Sequence, residues 1–151
     1  MLLKRSYKPS GVTLLEIMLS MAILAVIAVS SLPFFVTLIS KSKLDSARLL
    51  TAQALRRASV KAQSGEANTD WGVMMRPDKI VVFSGSSYEH RNGQYDNIAP
   101  LDGGVSFAGD TEIVFGKLTS TLAMDKTVIL TLLASGEIKT VTVSAEGAVN
   151  Y

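Results

Sequence analysis

The sequence contains no cysteine among its 151 residues. Disulfides and thiolate metal sites are therefore excluded, and the redox compartment leaves no trace in the composition. Histidine is nearly as scarce: His90 stands alone, between Glu89 and Arg91 in a polar segment that reads as a solvated loop. One imidazole without thiolates makes no recognisable zinc site, and no serine sits in a G-x-S-x-G context. A Gly-rich phosphate loop is missing too, since Asp102-Gly103-Gly104 reads as a turn. With no catalytic constellation in view, neither an enzyme nor a cofactor is expected. Charge is also thin, at 19% of residues against roughly 25% in soluble domains. The deficit is local, because the 24 positions from Ile17 to Ser40 carry no charged residue.

As a helix that run would extend about 36 Å, enough for a hydrocarbon core of about 30 Å. The remaining length allows one modest domain. Around the run the charge is unevenly placed. Lys4, Arg5 and Lys8 precede it with no acid among them. Between Lys41 and Gln63 stand six bases and Asp45, a net of +5; from Ser64 onward six bases meet eleven acids, a net of −5. A basic start, an apolar segment, a basic helix and an acidic domain follow one another, a complementarity able to orient one copy against the next.

Three processing signals compete for the first 40 residues. A secretory signal peptide would be cut after the run, near Val26-Ile27-Ala28. Its apolar region is usually 7–15 residues long, and here the run continues well past Ala28. A signal anchor would not be cut at all, and a third type of signal is cut before the apolar run. Glu16 is the feature that discriminates. A carboxylate at the head of an apolar stretch costs roughly 2.5–3.5 kcal/mol deep in a membrane unless it snorkels to the surface.

Residues Ser10-Gly11-Val12-Thr13-Leu14-Leu15-Glu16 resemble the prepilin peptidase recognition site of type IV pilins and type II secretion pseudopilins. The resemblance implies that Gly11 ends a basic leader, that Val12 becomes the new N-terminus, and that Glu16 stands fifth in the mature chain. Pro33, 21 residues after Val12, matches the helix-kinking proline common in that family. Val12 departs from the usual phenylalanine or methionine at the first mature position. The family implies processing at Gly11 and Val12, and assembly roles for Thr13, Glu16 and Pro33. It also implies N-methylation of Val12, leader in the cytoplasm, since Lys and Arg flank both ends of the run and charge alone does not fix orientation. The expected division is a leader at 1–11, a transmembrane and filament-core helix at 12–40, its amphipathic continuation at 41–64 and an antiparallel β domain at 65–151.

Beyond the apolar run, Leu44, Ala47, Thr51, Ala54, Leu55, Ala58 and Ala62 recur at i, i+3, i+4 and i+7, with Lys41, Asp45, Arg48, Arg56, Ser59 and Gln63 opposite. One long helix is predicted from about Thr13 to Gln63, bent at Pro33 and stopped by Gly65. Strands are predicted at 71–75, 79–84, 105–108, 112–115, 128–133 and 138–144, with a short one at 148–151. Arg76-Pro77-Asp78 and Ala134-Ser135-Gly136-Glu137 provide turns. The fold class is α+β: a long kinked N-terminal helix packed on a C-terminal antiparallel sheet domain, the pilin lollipop. Trp71-Gly72-Val73, the hairpin after it and Glu112-Ile113-Val114-Phe115 further resemble H-type minor pseudopilins. A main pilin of a small type IV system is the rival.

Other candidates are weaker. Asp96, Asn97, Asp102 and Asp110 supply hard oxygen ligands, as calcium would require, but lack EF-hand spacing and suit turns equally well. Trp71 reads as a core residue. Arg48, Arg56 and Arg57 give the basic helix a superficial likeness to a DNA-binding face, yet the domain that would meet a duplex is acidic. They are expected near neighbouring subunits. The functional expectation is a filament subunit of a type IV pilus or secretion pseudopilus, inserted in the inner membrane and later part of an extracellular or periplasmic filament. Its implied partners are other pilin subunits, prepilin peptidase, and an assembly platform with its ATPase. The alternative is a tip-located minor pilin whose Gly85–Asn97 segment binds DNA, a secreted substrate or a surface.

Overall fold

The structure, a computed structural model, describes residues 11–151, with side chains described for 11–29 and 41–151. One helix, α1, spans Leu14–Gln63. By its internal contacts the chain divides into two compact units, Met1–Leu38 and Ile39–Tyr151. Pro33 falls within α1, in the stretch 30–40 whose side chains lie outside those described, and so does the bend expected there.

In the second unit, α1 ends as its sequence dictates. Gly65 takes a left-handed conformation (φ 68°) and its N–H donates to the Ala62 carbonyl at 3.1 Å. A left-handed residue closes a helix at low cost only when it has no Cβ. The Ala62 carbonyl also accepts from the Leu118 N–H at 2.8 Å, so a distant loop completes the cap.

Eight strands follow: β1 Trp71–Arg76, β2 Lys79–Ser84, β3 Asn97–Pro100, β4 Val105–Gly109, β5 Glu112–Phe115, β6 Lys126–Leu132, β7 Ile138–Val143 and β8 Val149–Asn150. They form two antiparallel sheets, ordered β3-β2-β1-β5 and β4-β6-β7-β8. The chain passes from the second sheet to the first at Gly109-Asp110-Thr111, where β4 ends and β5 begins. Proline and aspartate close the β1–β2 hairpin, with Arg76 opposite Lys79.

The seven helix positions predicted to face inward are all buried, and Ala52 joins them. Thr51 sits in this apolar stripe because its hydroxyl donates to the Ala47 carbonyl at 2.7 Å, which satisfies the buried polar atom locally. The stripe meets Trp71, Val73, Ile80 and Val82 of the first sheet and Val128, Leu130, Val141 and Val143 of the second in one core. β6 buries every second residue, as a half-wet strand should. β2 instead buries Ile80 through Ser84 without alternation. Its second face is covered by the polar segment after it, where the Phe83 and Tyr88 rings meet edge-on at 5.6 Å.

The α+β class and the antiparallel pairing match expectation. The sheet architecture is richer, because two sheets rather than one share the helix. β3 is not among the strands the sequence predicts: Asn97 and Pro100 are poor strand formers, and β3 is an edge strand, where proline is tolerated.

Candidate functional site

The head of α1 is built by Thr13. The Glu16 N–H donates to the Thr13 side chain at 3.3 Å and to the Thr13 carbonyl at 3.1 Å, and the Ile17 N–H reaches the same carbonyl at 3.3 Å. Thr13 is therefore the N-cap, and Thr13-Leu14-Leu15-Glu16 has the Thr-x-x-Glu spacing of a capping box. The family resemblance points to Thr13, and this local capping signal marks it independently in the sequence. The Ser20 hydroxyl donates to the Glu16 carbonyl at 2.7 Å, tying the first turn to the second. A carboxylate in the first turn also suits the positive end of the helix dipole.

Gly11, immediately before the helix, is exposed, and a Cβ built on it would meet nothing within 4 Å. Packing within the chain places no demand for glycine there. Every described residue from 11 to 29 is exposed, including Leu14 at 79% and Val29 at 67%. Glu16 is the one charged residue of this segment, and it lies in the first turn of α1, hydrogen-bonded through its N–H to Thr13. A helix that is apolar on all sides has no stable place in water and must bury those side chains against lipid or protein.

A family model of the prokaryotic N-terminal methylation motif matches residues 7–32. The chain carries this methylation motif. The match takes in Gly11, Val12, Thr13 and Glu16 and stops one residue before Pro33. The motif is consistent with the type IV pilin and pseudopilin superfamily, with cleavage by prepilin peptidase and with methylation of the new terminus. No curated protein and no solved structure matches the chain. Among the described residues, no helix is long and apolar enough to cross a membrane. Described side chains cover the run beginning at Ile17 only as far as Val29, so its remainder lies outside them.

The other candidates are scattered over the β domain. Asp96 accepts from Arg91 Nε at 2.9 Å, and Asn97 Oδ1 accepts from Arg57 Nη1 at 2.8 Å. Asp110 accepts from Lys126 Nζ at 2.9 Å and from the Thr127 N–H at 3.0 Å. Among the described residues, no three acidic or imidazole groups gather as metal ligands. His90 is exposed, with Nδ1 2.9 Å from the Ser87 hydroxyl. Trp71 is fully buried, and its Nε1–H donates to the Glu66 carbonyl at 2.9 Å. The helix arginines make contacts within their own chain. Arg56 stacks over the Tyr151 ring at 4.7 Å and donates to the Val149 carbonyl at 3.4 Å, while Arg48 approaches the same ring at 5.7 Å.

Proposed function

We propose that this chain is a structural subunit of a type IV pilus or type II secretion pseudopilus. The observation that carries the proposal is the exposed, all-round apolar helix with Glu16 at its head, lying within the segment that matches the methylation motif. Prepilin peptidase cuts between Gly11 and Val12, removing residues 1–11, and methylates the new amino group, which keeps its charge. Residues 12–40 then hold the subunit in the inner membrane with the β domain of residues 65–151 outside. An assembly platform and its ATPase extract it, and the helices bundle in the filament core, with 41–64 continuing the helix onto the β domain.

Glu16 has a specific task in this scheme. In an apolar bundle its carboxylate needs a cation, and the α-amino group of Val12 on a neighbouring subunit is the nearest chemistry of the right sign. Breaking one side of a buried pair costs about 3–5 kcal/mol. Thr13 fixes the turn that carries Glu16, and Pro33 adapts the helix to its neighbours by releasing one backbone hydrogen bond. Contacts of this head-to-tail kind do not close, so they generate a helical filament. Neither catalysis nor nucleic-acid binding is part of the scheme.

Replacing Glu16 with alanine in cells that hold an active prepilin peptidase tests it. Cleavage should be normal, while filament yield should fall by at least about a hundredfold, as a loss of about 3 kcal/mol implies. Unchanged filaments from Glu16→Ala would contradict the proposal. A second reading, a minor pilin at the tip, is favoured by the ordered Gly85–Asn97 segment, which walls a cleft. Within that reading, Trp71-Gly72-Val73 and the β5 strand support the H-type minor pseudopilin group.

A further inference from the structure

A cleft of about 310 Å³ lies where Thr69, the end of β2 at Ser84, and the residues His90, Asn92 and Tyr95 converge. Its polar groups are not consumed by the fold. Ser84 is only 2% exposed, yet among the described residues its hydroxyl makes no hydrogen bond, and neither do those of Thr69 and Tyr95. Asn92 uses its carbonyl oxygen to accept from the Gln94 N–H at 3.1 Å, which leaves its two amide hydrogens. His90 engages Ser87 through Nδ1 and leaves Nε2. Among the described residues, no carboxylate, ammonium or guanidinium lines the cleft.

The walls are held before any ligand arrives. Arg91 donates from Nε to Asp96 and from Nη1 to the Tyr88 carbonyl at 2.7 Å, and its guanidinium lies 3.9 Å from the centre of the Tyr88 ring. At Gly85 (φ 144°) an added Cβ would lie 3.0 Å from the Arg91 backbone, so the loop folds closely onto the end of β2. The half-exposed Tyr95 ring stands edge-on to Trp71 at 6.1 Å. A cleft fixed in this way binds without first ordering its loop.

We propose that this cleft binds a neutral saccharide. Hydroxyls both donate and accept, and a ligand rich in hydroxyls can satisfy Ser84, Thr69, Asn92 and Tyr95 together. An apolar ligand would bury those groups unpaired, and an anion would find no fixed cation. The volume stands at the small end of ligand pockets, about 300–1,000 Å³, and suits one or two sugar rings. The inference concerns the β domain alone and does not depend on filament assembly.

Trp71 is the single tryptophan and lies beside Tyr95, so its fluorescence reports on the cleft. The full chain in micelles of a non-glycosidic detergent would be titrated with maltose, lactose and N,N′-diacetylchitobiose. At least one should give a saturable change, and Tyr95→Phe and Asn92→Ala should each weaken it about three- to tenfold, as loss of one neutral hydrogen bond implies. Asn92 is exposed, so its variant reads binding even if a change at buried Ser84 disturbs folding. No saturable change with any of the three up to about 50 mM, far above millimolar weak binding, would overturn the proposal. So would equal affinity in both variants, or displacement by an equal concentration of a capped tripeptide.

Discussion

At Gly72 an added Cβ would sit 2.4 Å from the Phe83 ring, its cross-strand partner, so the fold itself demands glycine there. At Gly11 the same test finds nothing within 4 Å. In the proposed scheme the peptidase, not packing within the chain, is what reads Gly11. Asp110 illustrates a residue with a purely structural task. The Thr127 N–H and then the Lys126 ammonium hold its carboxyl below the ordinary aspartate value of 3.8. Because the folded value is the lower one, the stabilisation is complete above 3.8 and is lost as pH falls through the folded value. Asp110→Asn should therefore lower the denaturant midpoint at pH 7, and the gap to the parent chain should narrow below about pH 4. A gap that stays constant across the acid range would show that the charge is not the cause. The proposed roles of Gly11 and Glu16 were legible in sequence because they rest on spacing. The tasks of Asp110 and Arg56 were not, since their partners are 16 and 93 residues away.

Among the elements, α1 was the most legible. A stripe with helical period predicts a buried face regardless of what covers it, and every member of that stripe is buried. Leu55, fully buried where the helix meets both sheets, should cost about 2–5 kcal/mol on Leu55→Ala, measured by denaturant unfolding of the full chain in micelles. A loss below about 1 kcal/mol would mean that the helix is not packed on the sheets as described. Strands were read less completely. β3 is defined by its pairing with β2, Lys79 to Pro100 and Val82 to Asn97, and carries no alternation of its own. The division into two sheets was likewise hidden, because it depends on which partners β4 and β5 choose rather than on their composition.

On the scale of the whole molecule, the two compact units obey different solvents. Residues 39–151 bury a shared core between helix and sheets, as a globular domain in water does. The described part of the N-terminal unit buries nothing and exposes apolar side chains on every side. The two behaviours in one chain make sense if the helix exchanges lipid for other helices while the domain keeps its own core. The methylation motif that suggests this exchange occupies a short segment, which is why the sequence suggested an assembly role sooner than the β domain's individual role. The most direct test is an intact-mass measurement of the protein purified from cells with an active prepilin peptidase. The account predicts a chain beginning at Val12 and carrying one N-terminal methyl group. A full-length chain, or one cut after Ala28, would contradict it.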